Sequence, residues 1–180
     1  NPILDPPLPT SNSAVCIGDS IRLYTNPPGP PEGPYSYSWA GPNGFTANVA
    51  NPVFKATTLA YDGTYSVTIT DLVSGQTSNG STQVTLNPLP AAPVISGSGD
   101  GAACKGETYT LSTTNYPGVG ETYYWTSPVN VTNTTLVPQY IIDTVGPDSA
   151  GTWLLQIEDA NGCFSPAVGM TSCTWMIRCR

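Results

Sequence analysis

Residues 61–70, YDGTYSVTIT, decide the fold. Asp62-Gly63 is a turn dipeptide, and behind it Tyr65, Val67 and Ile69 alternate with Ser66, Thr68 and Thr70. A period of two is the mark of a strand with one face on a core and the other in water. The same pattern returns 88 residues later as AGTWLLQIED (150–159). Gly63 falls on Gly151, Tyr65 on Trp153 and Asp71 on Asp159.

Working outward, SAVCIGDSIRLYT (13–25) lies over GAACKGETYTLST (101–113) at the same offset, and Trp39 lies near Trp125 at an offset of 86. A fixed period with loop-sized slippage means tandem copies of one folding unit. Ile21 and Leu23 are matched by Tyr109 and Leu111; Tyr35, Tyr37 and Trp39 are matched by Tyr123 and Trp125. Turns rich in Gly, Pro and Asn separate these segments: GPNG (41–44), NPPGPPEGP (26–34) and NYPGVG (115–120). No stretch carries a helical stripe. The expectation is an all-β chain of two sandwiches, residues 1–88 and 89–180, with roughly seven strands each. NPLPAAP (87–93) between them reads as a short, stiff, Pro-rich linker. NPILDPPLPT (1–10) resembles that linker and reads as a mature terminus or a cut inside a longer array.

Composition narrows the function. Charged residues make up 9% of the chain, net charge is −7, and Lys and Arg together number five. So few cations cannot neutralise a phosphate backbone, which excludes nucleic acid as a partner. They also disfavour anionic membrane surfaces. No apolar run reaches the ~20 residues of a membrane-spanning helix, so no membrane insertion is expected. There is no His, the commonest general base and metal ligand. Lys55 and Lys105 sit on different copies, and no local carboxylate pair suggests glycoside chemistry. The expectation is no enzyme, no cofactor and no metal. Asp143, Asp148, Glu158 and Asp159 read as solvated loop acids rather than a calcium site.

Asp62-Gly63-Thr64-Tyr65 resembles the turn and Tyr that enter strand F of immunoglobulin-like sandwiches, where the hydroxyl folds back to backbone at the corner. Trp39 and Trp125 stand where the strand-C core Trp belongs. Trp153 replaces the Tyr in the second copy, so packing rather than a phenol hydroxyl is expected to close that corner. Cys-x-Gly-x4-Leu (Cys16, Gly18, Leu23; Cys104, Gly106, Leu111), YSWAGPNGF (37–45, Tyr37 to Phe45) and Asn161-Gly162-Cys163 resemble the Ig-like and PKD-like repeats of large secreted Bacteroidota surface proteins. The resemblance covers residues 1 to about 168. It implies export, often by the type IX route, and a cell-surface or extracellular setting.

The resemblance also implies a bridge between Cys104 and Cys163. Cys16 keeps its place in the first copy, but LVSGQTS (72–78) offers no partner there. Cys16, Cys173 and Cys179 then read either as free thiols, with a small bridge in the tail, or as covalent head-to-tail links between neighbouring chains. Asp-Ser/Thr-apolar triplets at Ser20, Thr144 and Ser149 resemble Bacteroidota O-glycan acceptors. Asn79, Asn130 and Asn133 fit N-glycan sequons, and unmodified turn residues are the alternative for all six. Among aromatic candidates for carbohydrate binding (Tyr35, Tyr116, Tyr123, Tyr124), core packing is favoured; Tyr24, Tyr124 and Tyr140 are expected to be exposed. The leading reading is a non-enzymatic extracellular structural protein, a segment of a surface adhesin, stalk or filament. Its partners would be copies of itself or neighbouring repeats. The alternative is a module that binds carbohydrate or a cell surface. The TSCTWMIRCR tail (171–180) fits neither style.

Overall fold

The computed structural model describes residues 4–27, 34–98, 102–114, 119–172 and 174–176. Cys173, Cys179 and Tyr116 lie outside them. The chain divides into two compact units, Asn1–Pro88 and Leu89–Arg180.

In the first unit, β1 (Thr10–Ser11), β3 (Ser20–Tyr24) and β6 (Val53–Lys55) form one antiparallel sheet in the order β1-β3-β6. β5 (Thr46–Ala47), β4 (Tyr35–Ala40), β7 (Gly63–Asp71) and β8 (Thr77–Val84) form the other, in the order β5-β4-β7-β8. Inward residues of the period-two pattern meet between them. Ile21, Leu23, Trp39, Tyr65, Val67, Ile69 and Val84 are buried in one cluster. Each such side chain contributes about 1.5–3 kcal/mol of burial. β2 (Val15–Cys16) runs parallel to β9 (Leu86–Asn87), with Cys16 in register with Asn87. A tight turn follows: the Asp19 N–H donates to the Cys16 carbonyl at 3.0 Å, and Gly18 takes φ 96°. Positive φ at the third turn position is the type II geometry that selects glycine.

The second unit repeats the plan. β10 (Ile95–Gly97), β12 (Tyr109–Thr113) and β15 (Gln139–Ile142) form one sheet. β14 (Thr132–Thr135), β13 (Thr122–Thr126), β16 (Gly151–Glu158) and β17 (Val168–Ser172) form the other. β11 (Ala102–Cys104) runs parallel to β18 (Thr174–Met176). The Cys104–Glu107 turn copies the one at Cys16, with Gly106 at φ 88°. Tyr109, Leu111, Tyr123, Trp125, Trp153, Leu155 and Ile157 fill the core. Among the described residues there is no α-helix, only 3-10 turns at Pro42–Gly44, Leu59–Tyr61 and Pro147–Ser149.

Candidate functional site

Each unit carries one corner where strand F enters the core. In the first, the Tyr65 hydroxyl donates to the Tyr61 carbonyl at 2.8 Å. Phe45 and Phe54 pack on the Tyr65 ring at 5.3 and 5.7 Å. Burial pushes the Tyr65 phenol up to about 12, with Tyr61 and Asp62 adding to the effect. In the second unit the expectation of a corner closed by packing alone is corrected. The Trp153 indole N–H donates to the Ser149 carbonyl at 3.0 Å, spanning the same four residues. An indole N–H is a donor as a phenol is, so one acceptor serves both. Trp39 and Trp125 are buried, and their indole N–H groups reach the Ala50 carbonyl and Thr135 Oγ1.

At the far end of strand F a carboxylate holds the loop. Asp71 Oδ1 accepts the Val73 and Ser74 N–H groups, and Oδ2 accepts the Ser74 hydroxyl at 2.8 Å. These bonds, that from the Ser74 hydroxyl foremost, hold its carboxyl below the usual range. Asp159 Oδ1 does the same work for the Asn161 and Cys163 N–H groups. The two acids of the repeat are therefore loop clasps, a role the spacing alone did not reveal.

Cys16, Cys104 and Cys163 are each disulfide-bonded within the chain. The expectation of a free or intermolecular thiol at Cys16 is thereby corrected. The Cys104–Cys163 bridge implied by the family resemblance is also corrected, by register. Cys163 lies past the end of β16, clasped by Asp159 and fully buried. Cys104 lies at the other end of the unit. It is in register with Met176 of β18, and β18 closely follows Ser172, the partner of Gly151 where β16 begins. Eight residues of β16 separate those ends, roughly 25 Å at about 3.3 Å per residue. A disulfide needs Cα atoms within about 7 Å.

Among the aromatic candidates, Tyr24 is exposed and Tyr123 is buried. Tyr140 departs from expectation: it is half-buried, against Trp125 at 6.4 Å and Trp153 at 5.4 Å. Tyr35 packs against the first core. Tyr124 stands on the outward face of β13, 5.6 Å from Phe164, and donates its hydroxyl to Glu158 Oε2 at 2.5 Å. That bond, with burial second, raises its phenol above the ordinary value. The four acids weighed for calcium divide between the two ends of the unit. Asp143 and Asp148 lie between β15 and β16; Glu158 and Asp159 close β16. Ser20 and Thr144 are exposed, while Ser149 Oγ accepts the Gly146 N–H. The outward face of the first large sheet presents Ser36, Ser38, Thr64, Ser66, Asn79, Ser81 and Gln83, all uncharged.

No protein-family model matches the chain, and no curated protein matches it in sequence. Solved structures do. A marsupial T cell receptor aligns over 97% of this chain and 74% of its own, at 14% identity and a TM-score of 0.54. The fold is immunoglobulin-like. Identity this low speaks to the fold alone. Three N-terminal domains of the bacteriophage RB49 Highly Immunogenic Outer Capsid protein align over 94% of this chain at 16% identity and a TM-score of 0.49. This chain spans 59% of that one's length. The human OSCAR ligand-binding domain aligns at 12% identity and a TM-score of 0.39. No helix of the described residues is long and apolar enough to cross a membrane.

Proposed function

We propose that this chain is a non-enzymatic, extracellular structural segment: two Ig-like repeats of a surface adhesin, stalk or filament. The observation that carries the reading is the set of disulfides closed within a tandem sandwich of very low charge. Such bonds persist in oxidising compartments and are rare where thiols are kept reduced. The Pro-rich linker, the uncharged outward face and the resemblance to Bacteroidota surface repeats support the same setting. Cys16 is already bonded within the chain, so it supplies no covalent link to a neighbouring copy.

The test is the native mass of isolated material, without reductant and then with it. Assemblies larger than the 18.8 kDa chain that survive reductant support a non-covalent filament. A monomer under both conditions removes self-assembly and leaves a spacer or binding module. One observation favours the second role: the Tyr124–Phe164 pair beside Glu158, an aromatic surface with an acceptor next to it. Binding to an array of soluble glycans, lost in Tyr124→Ala, would assign it; an array without binding removes it.

A further inference from the structure

We propose that the outward face of the first unit's small sheet binds an acidic glycan, one whose sugar rings carry carboxylate or sulfate groups. β3 alternates exposed and buried residues, so Ser20, Arg22 and Tyr24 share the face turned away from the core. On β6, Val53 and Lys55 are exposed beside them, Val53 in register with Arg22 and Lys55 with Ser20. Arg22 and Lys55 are therefore diagonal neighbours, roughly 7–8 Å apart at the backbone. They are also the only cations in the sequence of the first unit. Among the described residues, neither is ion-paired with an acid. Like charges held side by side repel, and this chain of net charge −7 does not lack acids. Asp62 and Asp71 instead accept backbone N–H groups, from Leu86 and from Val73 and Ser74. Next to the two cations, Tyr24 is 39% exposed and Val53 55%.

The second unit shows that the fold does not require cations on this face. Its β12 and β15 pair in the same register, with Thr110 opposite Ile141 where Arg22 stands opposite Val53. Ser112 takes the place of Tyr24, and Asp143 that of Lys55. The same sheet closes there without the two cations and without the aromatic ring. Chemistry then names the occupant. A guanidinium offers a planar fork of donors and an ammonium three donors, both matched to carboxylate or sulfate oxygens. An exposed phenol presents a flat apolar ring to the C–H face of a sugar, with a hydroxyl at its tip for hydrogen bonding. The run from Ser20 to Tyr24 is roughly 14 Å at about 3.4 Å per residue, room for more than one ring. Two cations are too few for the dense phosphates of a nucleic acid. They suit a polymer whose charges are spaced by whole sugars. This binding goes beyond the structural-segment reading and holds whether or not copies assemble.

Titration calorimetry of the full oxidised chain tests it, with dextran sulfate, a polyuronate and unmodified dextran as probes. The parent should bind at least one acidic polymer and not dextran; which one it prefers assigns sulfate or carboxylate. Added salt should weaken the binding. The double variant Arg22→Thr, Lys55→Gln should bind at least about tenfold more weakly, and Arg22→Thr or Tyr24→Ala alone about threefold. Lys105→Gln, on the second unit, should bind as the parent does. Thermal unfolding of each variant separates lost binding from a lost fold, and the single variants carry the test if the double variant unfolds. A parent that binds neither acidic polymer, or binds dextran equally, overturns the proposal. So does undiminished binding by the Arg22 and Lys55 variants, or an equal loss in Lys105→Gln. Preference for poly-glutamate over both acidic glycans would replace the glycan with an acidic peptide. Loss in Tyr124→Ala with none in Tyr24→Ala would move the ligand to the second unit.

Discussion

Two residues show how a side chain sets a local structure. Tyr65 anchors its corner with one hydrogen bond and a buried ring. Tyr65→Phe keeps the ring and deletes the bond, so it should cost about 0.5–1.5 kcal/mol in chemical unfolding. The phenol also gives a pH signature. Its folded value, about 12, lies above the ordinary 10.0, so the folded state favours the neutral form. That contribution is complete below pH 10 and is lost as pH rises toward 12. The parent should therefore lose stability over this window more steeply than the Phe variant. Asp71 has the opposite sign. Its carboxyl is lowered by the hydrogen bonds of the loop, so its contribution is present above the ordinary value near 3.8 and disappears as pH falls further. Asp71→Asn should be less stable than the parent at pH 7, and the gap should narrow below pH 4 in the same unfolding measurement.

At the scale of the element, the exposed side of β8 needs explaining, because an open strand edge invites pairing with other chains. The N-terminal segment that runs from Leu4 through β1 to Ser13 covers it. Ser11 and Ser13 donate to the carbonyls of Gln83 and Thr85, and Leu4 N–H reaches Gln76. Gly80 makes the approach possible: a Cβ there would stand 2.5 Å from the Pro7 carbonyl oxygen and 2.7 Å from Pro9 Cδ. Gly80→Ala should push the segment away, cost about 1–3 kcal/mol as an overpacked contact, and increase aggregation. Thermal unfolding and light scattering would read the two effects. A variant as stable and as soluble as the parent would show that the segment is not needed as a cover.

For the whole molecule, the disulfides matter through the unfolded chain. A bridge limits the unfolded ensemble and typically contributes 2–4 kcal/mol. Reduced protein should melt well below oxidised protein, and calorimetry with and without reductant measures the difference.

The sequence by itself determined the fold class. Period-two alternation in two copies and the Gly-, Pro- and Asn-rich turns between the segments are local facts, and local sterics read them directly. It also limited the chemistry, because a chain without His and nearly without cations has few options. The tertiary structure alone decided the rest. Tyr140 alternates like an outward residue, yet it sits between two tryptophans, because burial depends on what the opposite sheet supplies. Trp153 closes its corner with an indole N–H, a match of reach that residue type did not announce. The family resemblance implied a bond between Cys104 and Cys163; register placed them at opposite ends of an eight-residue strand. Pairing depends on distance in space, and in a sandwich that distance is fixed by which end of which strand a residue occupies.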